Sequence, residues 1–447
     1  MSSLTSSQFK ALFDQTLPML VGLLAIMGSQ LIDSAFIGQL GDEPLVIVGF
    51  SIPIYQLIVG VQVGIGIAAT ACMSTAIGEN KIRYARFLSA IILTMGSVLL
   101  LLLCGLLWLF QQEVVTALGG DASIFNQLRN YWLPWLISCW LGAILYFGYS
   151  ISRAFGDTNI PGNVMVITSI INIVLDPIFI FTFDMGMSGA AWASCVAFAI
   201  GLIIIFNSIK DKHFIALPTK LNVIKMGVSS ISKFTAPAMV SQFIPPVSAI
   251  VVTALVATFG HAAIASWGLA SRVEYLLIIL ILAMTMALPP MIGKLKGQKN
   301  YTEINALVKT AVSVILGFQL LLALLFILAA EPVSALLTTD DGISALLSQY
   351  LALVPISYGA LGVCMICVSA SNAIGLPSFA LAISLIRLLA CYLPLVWLGA
   401  EFHGFKGVLI GATVGNFLAG FTSWQLFKRQ LGKVAKTNES FKLSVAQ

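Results

Sequence analysis

The stretch Phe87–Phe110, FLSAIILTMGSVLLLLLCGLLWLF, runs from end to end without a charged side chain. At about 1.5 Å of rise per residue, a helix of this length covers about 36 Å, more than the roughly 30 Å of a hydrocarbon core. Its apolar residues are continuous, whereas a membrane barrel strand alternates apolar and polar residues, so the stretch reads as a transmembrane helix. Working outward, eleven more segments of the same kind fill the chain. The twelve predicted spans are 15–38, 45–75, 87–110, 128–152, 161–183, 187–209, 232–258, 262–292, 305–330, 345–371, 377–399 and 406–428. The fold class is therefore all-α integral membrane.

Composition agrees. The 447 residues are 59% hydrophobic and only 9% charged, where a globular protein carries roughly 25% charge. The net charge of +5 is what cytoplasmic loops facing anionic lipid produce, and it implies membrane lipids as neighbours and no nucleic acid. All seven cysteines sit in apolar stretches, so no disulfide framework is expected. Residues Met1–Lys10 are polar with one cation, and the apolar run behind them is too long for a signal-peptide core. The first span is expected to remain in the mature protein.

Basic residues test the count of spans, because Lys and Arg gather on the cytoplasmic side. Lys81, Arg83 and Arg86 follow the second span, Arg153 the fourth, Lys210 and Lys212 the sixth, Lys294, Lys296 and Lys299 the eighth, and Lys428, Arg429 and Lys433 the last. The alternate loops carry acids: Glu113, Asp184, Glu331, Asp340, Asp341 and Glu401. Both termini are thus expected in the cytoplasm.

The longest polar connection, about 210–231, stands midway, and the sequence on either side repeats at an offset of 219. Gly41, Gly49, Gly78, Gly156 and Gly201 meet Gly260, Gly268, Gly297, Gly375 and Gly420, while Thr16, Pro18 and Tyr131 meet Thr235, Pro237 and Tyr350. The predicted division is an N-lobe at 1–215, a C-lobe at 216–432 and a cytoplasmic tail at 433–447. An even number of helices per repeat makes the halves parallel, giving two six-helix pseudo-symmetric lobes with a central cleft, the geometry of alternating access.

Five ionisable residues lie at membrane depth, where each needs a partner or a purpose: Asp33, Asp176, Arg272, Glu274 and Arg387. The repeat-mate of Asp33 is Val252, so the carboxylate belongs to one lobe only. It is read either as a cation-coupling acid or as a structural acid hydrated near the interface. Asn172 and Asp176 are four apart and share a helix face. Pro177 follows, depriving the Ile173 carbonyl of its helical donor. Oxygens so gathered make a hard-cation site, or else bond neighbouring helices around a kink. Pro18 similarly leaves the Asp14 carbonyl without a helical donor and offers the first span a bend, or simply occupies its first turn. Glu274 and Arg387 are candidates for a buried charge pair in the C-lobe, with a structural role favoured.

Enzyme signals are absent. No GxxxxGK[ST] loop occurs, Gly64-Ile65-Gly66 lies in a membrane span, and Cys364 and Cys367 are packed thiols on adjacent turns. His213, His261 and His403 are scattered and form no metal set. Neither catalysis nor a cofactor is expected.

Taken together, Asp33, Asn172, Asp176, Tyr131 and Pro18 make the chain resemble the multidrug and toxic compound extrusion (MATE) family, in its DinF-like subfamily, along essentially its whole length. That resemblance implies a cation site formed by Asp33, Asn172, Asp176 and the hydroxyl of Ser194, with Tyr131 beside it and Pro18 as the conformational switch. It implies exchange of small organic or cationic drugs for H⁺ or Na⁺ by a monomer in the bacterial inner membrane. Any Na⁺ would sit at Asp33, Asn172, Asp176 and Ser194. Where the NorM-like branch carries C-lobe carboxylates, this sequence has Pro245 and Val363, which argues against a second-lobe cation site. The rival reading is a lipid-linked oligosaccharide flippase of related architecture. A channel is disfavoured by the two-lobe repeat, and an intramembrane aspartyl protease lacks its motifs.

Overall fold

The computed structural model describes residues 2–117, 122–217 and 221–445. Met1 and residues 118–121 of the predicted N-lobe, 218–220 of the C-lobe, and the last two residues of the tail lie outside the described residues. The order is α1 (Ser2–Gly38), α2 (Asp42–Gly78), α3 (Ile82–Leu109), α4 (Gln111–Ala117), α5 (Ala122–Ala154), α6 (Asn159–Pro177), α7 (Gly186–Asp211) and α8 (Leu221–Ala257). It continues with α9 (His261–Leu277), α10 (Ile279–Gly297), α11 (Tyr301–Leu337), α12 (Asp341–Leu353), α13 (Tyr358–Ala373), α14 (Pro377–Leu385) and α15 (Leu393–Val445). Among the described residues there is no strand.

The decisive stretch shows why these helices are membrane helices. In α3 the buried residues Ala85, Leu88, Ile92, Gly96, Leu100, Cys104 and Leu107 recur every three or four positions and face the protein. The opposite face, which a soluble helix would make polar, presents Val98, Leu101, Leu102, Leu106 and Leu109, all at least half exposed. Apolar side chains on both faces mean packing on one side and lipid on the other.

Among the described residues, eleven helical segments are long and apolar enough to cross a membrane. The last of them, Pro377–Thr437, is 61 residues long and contains a reversal at His403 (φ −137°) and Gly404 (φ 59°). The glycines prove the reversal. A Cβ at Gly399 would overlap the Gly407 carbonyl oxygen, one at Gly411 the Leu395 carbonyl oxygen, and one at Gly415 would lie 2.9 Å from that of Cys391. Contacts that converge on residue 403 describe two antiparallel passes in backbone contact, so this segment supplies two crossings and the total is twelve.

The repeat is visible in the backbone hydrogen bonds. After α2, the N–H groups of Glu79, Asn80 and Lys81 donate to Thr75, Ile77 and Ala76; after α10, those of Gln298, Lys299 and Asn300 donate to Lys294, Lys296 and Leu295. After α5, Phe155, Gly156 and Asp157 donate to Ile151, Arg153 and Ser152, and after α13 Ile374, Gly375 and Leu376 donate to Ala370, Asn372 and Ser371. Every partner moves by the same 219 positions. The left-handed residues move with them: Asn80 and Lys299 at φ 60° and 58°, Gly156 and Gly375 at 89° and 87°.

The chain forms two compact units, Asp14–Gln242 and the residues from Phe243 onward together with the start of α1 through Phe13. The divisions fall inside α1 and α8 because each helix begins in one unit and continues in the other. Leu12 is in the core of the second unit with Val252, Leu288 and Val308, whereas Gly227 of α8 faces Leu88 and Ile91 of the first.

Candidate functional site

In the first unit, α6 carries Asn172 and Asp176 one turn apart. The Asn172 Nδ2 donates to Asp176 Oδ1 at 3.0 Å and to Ser194 Oγ of α7 at 3.2 Å. Asp176 is fully buried. Beyond Pro177 the backbone leaves α-helical geometry and widens into a π-helical turn over Ile178–Thr182. Such turns are rare, and they cluster at functional sites.

Asp33 comes from α1 and Tyr131 from α5. The Asp33 carboxylate interacts electrostatically with both Asp176 and Tyr131, which brings the four predicted elements to one place. Tyr131 is buried and stacks on Trp135, ring centroids 6.0 Å apart. Asp33 Oδ1 and Asp176 Oδ2 are buried and accept no hydrogen bond. Burying a carboxylate oxygen without a partner is costly, and a proton or a small hard cation is what relieves that cost. With its amide nitrogen committed to Asp176 and Ser194, Asn172 turns its carbonyl oxygen away from them. The available ligands are thus oxygens, a set that suits H⁺ or Na⁺ rather than a soft metal.

The other end of α6 meets the predicted bend. Pro18 lies within α1, and a Cβ added to Gly162 would stand 2.5 Å from the Pro18 carbonyl oxygen and 2.8 Å from its carbon. Only glycine lets the two backbones approach this closely. One helix therefore carries Asn172 and Asp176 at one end and touches the proline of α1 at the other.

In the second unit, Glu274 of α9 accepts a 2.9 Å hydrogen bond from Tyr350. Arg387 lies near enough to interact electrostatically with Glu274, yet among the described residues the two form no direct ion pair. Arg272 is exposed. Sequence reasoning missed Tyr350, Tyr358 and Tyr392 as partners of Glu274. One signal was present: Tyr350 is the repeat-mate of Tyr131, which interacts electrostatically with an acid, Asp33, in the first unit.

Comparison with known proteins extends the picture. The MatE family model matches residues 18–178 and 237–398. The chain is 29% identical to the FAD transporter of Shewanella oneidensis over 94% of both chains. It is 25% identical to the multidrug export protein MepA of Staphylococcus aureus, over 64% of each. Among solved structures, the Vibrio cholerae MATE transporter VcmN in its bent form is 46% identical, with a TM-score of 0.94, covering 96% of this chain and 98% of that one. A MATE protein in the straight conformation shares the fold at 22% identity and a TM-score of 0.89. The twice-matched family model, the twelve crossings and the backbone repeat lead to one conclusion: the chain belongs to the MatE family and is a multi-pass membrane transporter, not an enzyme.

Proposed function

We propose that the protein is a secondary active efflux transporter that exchanges small organic or cationic compounds for H⁺ or Na⁺ by alternating access. The observation that carries this reading is the oxygen set of the first unit: Asn172 tied to Asp176 and Ser194, with buried, unbonded oxygens on Asp33 and Asp176. Cation binding there is the coupling step. Asp33 is deprotonated while cargo is held, and arrival of the cation neutralises the carboxylates, rearranges the bonds among Asp33, Asn172, Asp176 and Tyr131, and releases the cargo.

Pro18 converts this local change into movement. It supplies no N–H to the Asp14 carbonyl, so α1 bends there at low cost. The contact of Gly162 with Pro18 links that bend to the helix bearing Asn172 and Asp176. A two-state helix biased by ion occupancy is the element that coupled transport requires. The protein sits in the bacterial inner membrane as a monomer, with both termini in the cytoplasm.

A second reading differs only in cargo. The Shewanella oneidensis relative is an FAD transporter and aligns over 94% of this chain, which favours a flavin dinucleotide. Proteoliposomes loaded with ethidium, norfloxacin or FAD and energised by a pH or Na⁺ gradient separate the two. Gradient-driven loss of ethidium or norfloxacin supports drug efflux; movement of FAD alone replaces it with flavin export. No movement of any of the three by folded protein refutes both cargo assignments.

A further inference from the structure

The second unit contains a polar cluster that the coupling site does not use. Glu274 accepts from the Tyr350 hydroxyl, which is 3.0 Å from the Tyr358 hydroxyl. Tyr358 also reaches Glu274, and Arg387 and Tyr392 interact with it electrostatically. Tyr350 and Tyr358 are 2% and 1% exposed.

Every helix that contributes to this cluster is irregular beside it. The eighth crossing breaks at Ile278 (φ −91°, ψ 3°), one turn beyond Glu274, and the buried Gln319 of α11 donates to the freed Leu277 carbonyl at 2.9 Å. The tenth tightens to a 3₁₀ turn at Val354–Ser357, between the two tyrosines. The eleventh widens to a π-helix over Ile386–Tyr392, with Arg387 and Tyr392 at its two ends. Regular helices are cheaper for packing alone, and mid-helix 3₁₀ and π segments mark hinges and functional sites. Here one 3₁₀ turn, one π segment and one helix break meet at a single carboxylate.

We infer that Glu274 is a second proton-binding site, contained in this unit, whose protonation reverses the hydrogen bonds of Tyr350 and Tyr358. An ionised Glu274 only accepts, so the single Tyr350 proton points to it and the Tyr358 proton goes to Glu274 or to Tyr350. A protonated Glu274 becomes a donor, so Tyr350 can turn to Tyr358 and the chain runs backward. Arg387 balances the ionised form without clamping it in a direct ion pair, and it loses that balance when the proton arrives. The other titratable groups meeting the cluster are Tyr275 on α9 itself and Cys364 of α13, beside Arg387, while Arg272, two residues from Glu274, is exposed; α11 brings the neutral Gln319. The repeat supports a separate origin for this site. Position 55, the mate of Glu274, is a tyrosine, and the mate of Asp33 is Val252. Each unit thus carries its own acid on a different helix beside an equivalent tyrosine.

Infrared titration of the protein in lipid nanodiscs tests the inference, with Asp33→Asn and Asp176→Asn combined to silence the first unit. The result therefore stands or falls independently of the coupling assignment. The expected result is a carboxylic C=O band that titrates and disappears when Glu274→Gln is added. Tyr350→Phe should shift the band frequency. Arg387→Gln should move the midpoint up by about one pH unit, a tenfold gain in proton affinity, because removing a nearby cation favours the neutral acid. If the glutamine variants fail to fold, Glu274→Asp should move the band and Arg387→Lys should leave the midpoint within a fraction of that shift. Absence of a titrating band that depends on residue 274 overturns the inference and leaves Glu274 as a fixed structural anion.

Discussion

Replacing Ser194 by alanine removes one contact from the coupling site and leaves the rest. The Ser194 Oγ accepts a 3.2 Å bond from Asn172 Nδ2, which also donates to Asp176 Oδ1 at 3.0 Å. Asn172 therefore keeps its orientation, and neither carboxylate changes charge. The loss is one neutral hydrogen bond, worth about 0.5–1.5 kcal/mol, and for Na⁺ one neutral oxygen ligand. At 1.4 kcal/mol per decade this weakens half-saturation by the coupling ion by about two- to twelvefold without abolishing exchange. Ser194→Thr restores the hydroxyl and should return the wild-type curve. The assay is cargo efflux from proteoliposomes as a function of coupling-ion concentration, with folded protein verified by size-exclusion profile. Complete loss of transport in folded Ser194→Ala, or a curve unchanged from wild type, would refute the assignment of this hydroxyl.

Three further outcomes follow from other contacts. Asp157 accepts from the backbone N–H groups of Asn159 and Ile160 and pairs with Lys212, whose side chain is 49% exposed. Since a cap is worth about 0.5–2 kcal/mol and an exposed ion pair about 0.2–1 kcal/mol, Asp157→Ala should lower the unfolding temperature more than Lys212→Ala does. Gly411→Val drives a side chain into the Leu395 carbonyl where the last two crossings touch; overpacking of this kind costs about 1–3 kcal/mol, so thermal unfolding should begin earlier, and an unchanged melting curve would contradict the hairpin. Gly162→Leu separates α6 from the Pro18 carbonyl and should slow exchange while leaving cation affinity nearly intact, measured as rate against half-saturation.

The crossings were legible because hydrocarbon permits little else: uninterrupted apolar runs such as Phe87–Phe110 admit few readings. The repeat was legible through glycines, and the structure shows why, since Gly156 and Gly375 hold the same left-handed turn. Asn172 and Asp176 were legible from helical spacing, while Ser194 entered by family resemblance and its bond to Asn172 only by structure. The break at Ile278 was hidden. Its neighbours Leu276, Leu277 and Ile279 include no proline or glycine, and what stabilises it is Gln319, 42 residues away from Leu277 in sequence. The tyrosine cluster was hidden for a related reason, because α9, α12, α13 and the π segment meet only through tertiary packing.

The most direct test of coupling is cargo movement in proteoliposomes under separately imposed pH and Na⁺ gradients, comparing wild type with Asp33→Asn. The account predicts that one gradient drives wild-type transport and that the variant, folded and inserted, transports under neither. Wild-type rates in Asp33→Asn would show that the carboxylate of α1 does not couple ion to cargo.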